Sequence, residues 1–223
     1  EIQATQPGRW RDVEWWICPS YYTADPLLAR VFGPFESDFL EILGEYLPSN
    51  VAYFWTGPSV VSESISLSQA QETAKRLKHR LLLWDNYPVN DLSMRDELHL
   101  GPLQGRDPKL PRAVYASLSN PLLQENLSFI PLATCFDYAA DPVDYHPESS
   151  WRKIICDLFG AESLPPWRAL RRFCEEHRHA NASGIHQYPR IAKYLLGFPH
   201  HFHLFACIPV VLERIDLRQD VER

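Results

Sequence analysis

Four short apolar runs, beginning near residues 13, 51, 81 and 114, each give way to a polar turn built on proline or glycine. Val13-Glu14-Trp15-Trp16-Ile17-Cys18 is closed by Pro19-Ser20, and Val51-Ala52-Tyr53-Phe54-Trp55 by Thr56-Gly57-Pro58. Leu81-Leu82-Leu83-Trp84 breaks into Asp85-Asn86-Tyr87-Pro88-Val89-Asn90-Asp91, and Val114-Tyr115-Ala116-Ser117-Leu118 into Ser119-Asn120-Pro121. The three leucines and tryptophan of the third run read as a strand buried on both faces, the kind found in parallel sheets. The starts lie about 30 to 38 residues apart with helical sequence between most of them. That is the rhythm of βα units, and right-handed crossovers turn such units into a parallel sheet.

The intervening segments carry helix signals. Phe39, Ile42, Leu43, Tyr46 and Leu47 recur at helical spacing after Glu36, Ser37 and Asp38, acids and a hydroxyl that favour a helix start. Ser66 or Ser68 is placed to cap a helix over residues 69–77, and Leu122, Leu123, Leu127 and Ile130 suggest another. A closed eight-stranded barrel needs at least ~200 residues, and only about 135 carry this rhythm. Four strands amount to half of one. From about Ser150 the pattern turns helical, first over residues 151–159 up to Gly160, then from Leu164-Pro165-Pro166-Trp167, then over 191–196 and 202–217. The expected organisation is an α/β half-barrel over residues 1–147 and a helical appendage over 148–223.

Charge and cysteine usage narrow the partners. A net charge of −6, with no basic stretch interleaved with aromatics, argues against nucleic acid. No apolar run approaches the roughly 20 residues that span a bilayer, so no membrane partner is expected. No signal-peptide pattern stands at the start, where Glu1-Ile2-Gln3 reads as if cut from something longer; a cytoplasmic location is expected. Five widely spaced cysteines, an odd number, favour reduced thiols over a disulfide framework. His200, His201, His203 and Cys207 match no zinc signature, and neither metal nor organic cofactor is expected.

In α/β barrels the loops at the C-terminal ends of the strands carry the chemistry. Asn86, Asn90, Asp91 and Asn120 fall at such ends. A carboxylate and amides there offer hydrogen bonds to sugar hydroxyls, while an indole covers an apolar sugar face. Asn86 to Asp91 is also readable as a plain turn around Pro88, and Asn120 before Pro121 as a plain strand end.

Taken in order, the strand ends resemble glycoside hydrolase family 84, which includes protein O-GlcNAcases and bacterial hyaluronidase-like β-N-acetylglucosaminidases. The matching segments are Cys18-Pro19-Ser20-Tyr21-Tyr22, Trp55-Thr56-Gly57-Pro58, Trp84-Asp85-Asn86-Tyr87-Pro88-Val89-Asn90-Asp91, Leu100-Gly101-Pro102-Leu103 and Ser119-Asn120-Pro121. The resemblance implies strands five to eight of a (β/α)8 TIM-type barrel and a retaining, substrate-assisted hydrolysis of terminal β-linked GlcNAc. In that scheme the 2-acetamido oxygen attacks the anomeric carbon and an Asp-Asp pair assists. No adjacent Asp-Asp occurs in these residues; the resemblance sets that pair before Glu1, so the chain alone is expected to be inactive.

By the same resemblance, Tyr22 donates near the acetamido oxygen, Trp84 walls the methyl pocket, and Asn86 supports the acetamido group. Asp91 and Asn120 would bind the distal hydroxyls O4 and O6. The implied partners are a GlcNAc-containing glycoside or glycoprotein, and either a missing N-terminal half-barrel or a second copy to cover exposed strand edges. Two rival readings stay open: a non-catalytic GlcNAc-binding module, and one half of a split enzyme.

Overall fold

The structure is a computed structural model and describes residues 13–34, 36–95 and 97–176. The stretch 1–5, the expected helices at 191–196 and 202–217, and His200, His201, His203 and Cys207 lie outside the described residues. Within them the chain forms two compact units. One holds residues 13–87, 103–120 and 136–145; the other holds 88–102, 121–135 and 146–176.

The first unit is built on a four-stranded, all-parallel sheet in sequence order: β1 (Trp15–Ile17), β2 (Val51–Trp55), β3 (Arg80–Asp85) and β4 (Ala116–Ser119). Tyr53 stands opposite Leu81, Trp55 opposite Leu83, and Trp84 opposite Leu118. Because side chains alternate along a strand, Tyr53, Trp55, Leu81 and Leu83 share one face. That face is covered by α2 (Phe39–Tyr46) and α3 (Leu67–Leu77), which supply Leu40, Leu43, Ala70 and Leu77. Each fully buried large apolar side chain here contributes about 1.5–3 kcal/mol. Ala52, Phe54 and Leu82 form the opposite face, joined by Ala116 and Leu118.

Local chemistry explains the helix ends. Ser66 caps α3, accepting from the Gln69 N–H at 3.2 Å, while the Gln69 side chain accepts from the Ser66 N–H at 2.8 Å. This reciprocal box satisfies two donors that a helix start leaves unpaired. Gly44 in α2 lets that helix approach α3, since an added Cβ would lie 2.0 Å from the Leu77 carbonyl oxygen.

One element departs from the sequence pattern. Residues 27–32, to which the sequence pattern assigns no element, form with Pro26 the short helix α1 (Pro26–Phe32). Asp25 accepts from the Leu27 N–H at 2.8 Å, and Pro26 takes the first position, where its missing N–H costs nothing. Leu122 and Leu123 precede rather than join the helix after β4, which is α4 (Glu125–Ala140).

The second unit is organised on a separate core of Leu100, Leu122, Ile130, Trp151, Ile155 and Trp167. Its helices α5 (Pro147–Phe159) and α6 (Leu164–Glu176) fall where the amphipathic pattern put them, with Gly160 at φ +87 ending α5. The Trp151 indole donates to the Leu100 carbonyl at 2.7 Å, and Phe159 stacks on Trp167 with centroids 4.9 Å apart.

Candidate functional site

In the first unit, the C-terminal ends of β3 and β4 bring three polar groups together. The Trp84 indole N–H donates to Asn86 Oδ1 at 3.1 Å, and Asn120 Nδ2 donates to the same oxygen at 3.1 Å. Asn86 Nδ2 donates to the Val60 carbonyl at 2.7 Å, which ties this cluster to the loop after β2. The Asn86 carbonyl is thereby doubly occupied, so what the amide can still offer is an N–H. The Asn120 carbonyl oxygen has no partner among the described residues. Trp84 is 37% exposed, an indole face set beside amides that donate and accept.

The strand end itself is pinned by a buried ion pair. Arg106 grips Asp85 with Nε to Oδ2 at 2.7 Å and Nη2 to Oδ1 at 2.6 Å, the two side chains being 5% and 7% exposed. Arg106 Nη1 also donates to the Glu63 and Gln104 carbonyls, at 3.1 and 2.9 Å. The two-pronged geometry is the strong form of a charge-assisted bond. Gly105 makes it reachable: at φ +71, with a Cβ position only 2.2 Å from the Glu63 carbonyl oxygen, the site admits no side chain. The Asp85 carbonyl accepts from the Asn120 N–H at 2.9 Å, which carries the anchorage to β4.

The loop after β1 is held separately. Tyr53 donates its hydroxyl proton to the Tyr21 carbonyl, and burial pushes the Tyr53 phenol above its ordinary range. Thr23 donates to the Gly57 carbonyl at 2.6 Å. Tyr22 lines a cavity of about 330 Å³ with Tyr53, Trp55, Glu72 and Arg76. Trp84, Asn86 and Asn120 are not among the residues that line that cavity.

Asp91 belongs to the second unit. It is half-buried, and its carboxylate has no hydrogen-bond or ionic partner among the described residues; its carbonyl accepts from the Met94 N–H at 2.9 Å. The preceding Asn90 is fully buried. Arg106 does not stand out as functional in the sequence, and Asn90 does so only by its place at a strand end. Asn90 sits inside the quoted motif without a distinguishing partner, and no spacing rule links position 106 to position 85. No helix among the described residues is long and apolar enough to cross a membrane.

Parallel βα sheets of this kind build α/β barrels, whose sites lie at the C-terminal ends of the strands. The chain belongs to the NAGidase (beta-N-acetylglucosaminidase) family, whose sequence profile matches residues 2–175. It is thus a member of a glycoside hydrolase family. It is 31% identical to Protein O-GlcNAcase of Mus musculus, and 32% to that of Rattus norvegicus, over 118 residues, 53% of this chain. Among solved structures it is similar to a mutant O-GlcNAc hydrolase of Thermobaculum terrenum (40% identity, TM-score 0.63, 69% of this chain). It is also similar to CpGH84B (26% identity, TM-score 0.64, 76% of this chain). The four-stranded parallel sheet is consistent with part of a TIM-type barrel, as in these neighbours. The chain spans 12% of the length of the two mammalian relatives and 31% and 30% of the two structural ones.

Proposed function

We propose that this chain is the sugar-binding part of a retaining β-N-acetylglucosaminidase that cleaves terminal β-linked GlcNAc with the substrate's own acetamido group as nucleophile. The observation that carries the reading is the Trp84–Asn86–Asn120 cluster at the strand ends, together with family membership. Asn86 offers an N–H toward an acetamido group, Trp84 an apolar wall, and Asn120 a polar contact for a distal hydroxyl. By the family pattern Asp91 serves O4 and O6, and Tyr22 donates near the acetamido oxygen. The four strands would be the fifth to eighth of the barrel, followed by a helical region from about residue 148. The Asp-Asp pair would come from the first half.

Two features support a missing cover. β1 and β4 each have one neighbour among the described strands, and Trp16, 46% exposed, lies on the same sheet face as Trp84 with Phe54 between them. A first half-barrel, or a second copy, would bury both.

The test is hydrolysis of an aryl β-GlcNAc glycoside by the full-length protein, with N-acyl fluorination as the probe. Substrate assistance predicts a rate that falls steeply as fluorine withdraws electrons from the acetamido oxygen; a flat series would refute it. Asn86→Ala and Asn120→Ala should each weaken binding of a GlcNAc-oxazoline mimic by about tenfold or more with little change in melting temperature. Tight binding of that mimic without turnover in the full-length protein would instead favour a non-catalytic module.

A further inference from the structure

The residue flanking Asp91 on each side is unusual, in opposite ways. Asn90 has no solvent exposure, and three hydrogen bonds hold its amide. Its Nδ2 donates to the Glu97 carbonyl at 2.7 Å and to Gln124 Oε1 at 2.9 Å, while its Oδ1 accepts from the Leu123 N–H at 2.8 Å. Leu92, on the other side, is 78% exposed and sits at φ +48, a left-handed conformation that a bulky residue rarely adopts. Its own side chain packs too little to hold that backbone.

The cause must therefore lie in the neighbours. Upstream, Asn90 fixes the chain, and His99 Nδ1 stands 3.1 and 3.0 Å from the Pro88 and Val89 carbonyls. Downstream, the Met94 N–H donates to the Asp91 carbonyl and the Glu97 N–H to the Met94 carbonyl, both at 2.9 Å. Strain that persists at an exposed residue because its surroundings over-determine it is typical of a pre-organised site. Among the described residues, what this arrangement leaves between its two fixed ends is the Asp91 carboxylate, which has no hydrogen-bond or ionic partner there. All these contacts lie within the second unit.

We propose that Asn90 is a positioning residue for Asp91: its buried amide sets the direction of the Asp91 carboxylate, and so the enzyme's selectivity for the sugar hydroxyl that carboxylate binds. Asn90 touches no substrate. The inference rests on the proposed role of Asp91 at O4 and O6.

The experiment compares kcat/KM of the full-length protein for an aryl β-GlcNAc glycoside and for its 4-deoxy and 6-deoxy analogues. Asp91→Ala should bring the larger of the two parent-to-deoxy ratios close to one. Asn90→Ala should lower the same ratio by about threefold or more, the scale of a lost hydrogen bond, and should add nothing to it in the Asn90→Ala, Asp91→Ala double variant. If Asp91→Ala leaves both ratios intact, the site assignment fails and takes this inference with it. If Asp91→Ala collapses a ratio but Asn90→Ala slows all the glycosides equally, the assignment stands and Asn90 is only structural. Should Asn90→Ala not fold, Gln124→Ala removes one of its three bonds. It should move the ratio the same way by a smaller factor, and an unchanged ratio there overturns the inference.

Discussion

The two faces of the sheet are built from the same strands and do different work. On the helix-covered face Tyr53, Leu81, Leu83 and Trp55 are all but sealed from solvent. On the other face Trp16 and Trp84 stay open, linked through Phe54 by edge-on ring contacts with centroids 6.0 and 5.5 Å apart. Leu83 and Trp84 are consecutive in β3, yet one holds the fold and the other is free to meet a ligand or another chain segment. A period of two residues is enough to set a sealed side chain and an open one next to each other along a single strand.

The comparison breaks first at the strand end. Asp85→Ala leaves Arg106 charged and buried, and should cost about 3–5 kcal/mol of stability in urea unfolding of the full-length protein. Replacing both partners by leucine should recover much of that loss; a double variant as unstable as Asp85→Ala would mean that the pair is needed for more than its mutual charge. Next, Leu83→Ala on the covered face should cost about 2–5 kcal/mol. Trp84→Ala on the open face should cost under about 1.5 kcal/mol and appear instead as a roughly tenfold loss of affinity for a GlcNAc-oxazoline mimic. Equal destabilisation by the two would erase the distinction between the faces. Ser66→Ala removes the cap of α3, and a loss of about 1 kcal/mol with unchanged mimic affinity would place that helix wholly on the stability side.

How much of this was legible beforehand depended on the range of the interaction concerned. β2 occupies Val51–Trp55, the apolar run itself, because five consecutive apolar residues between turn signals leave little choice. The cap at Ser66 and the end of α5 at Gly160 are local and were readable from neighbouring residues. α1 escaped because its first residue, Pro26, marks a turn as readily as a helix start, and the carboxylate of Asp25 decides between them only once folded. Asn86 and Asn120 were marked by their place at strand ends and Trp84 by the family resemblance, and the fold brings those three side chains together. The Arg106–Asp85 pair and the burial of Asn90 were not readable, since each depends on chain segments that sequence spacing does not connect.

The register of the sheet also has a kinetic consequence. Every strand pairing joins residues about 28 to 36 positions apart, as with Ala52 and Arg80 or Trp15 and Val51. No hairpin can seed such a sheet, so each strand must wait for a crossover to close before it gains a partner. Chains dominated by distant pairings fold slowly because loop-closure entropy is lost before the contacts form. The edges of β1 and β4, with one neighbour each among the described strands, stay open while the sheet is still assembling, and that interval is when aggregation competes most strongly with folding.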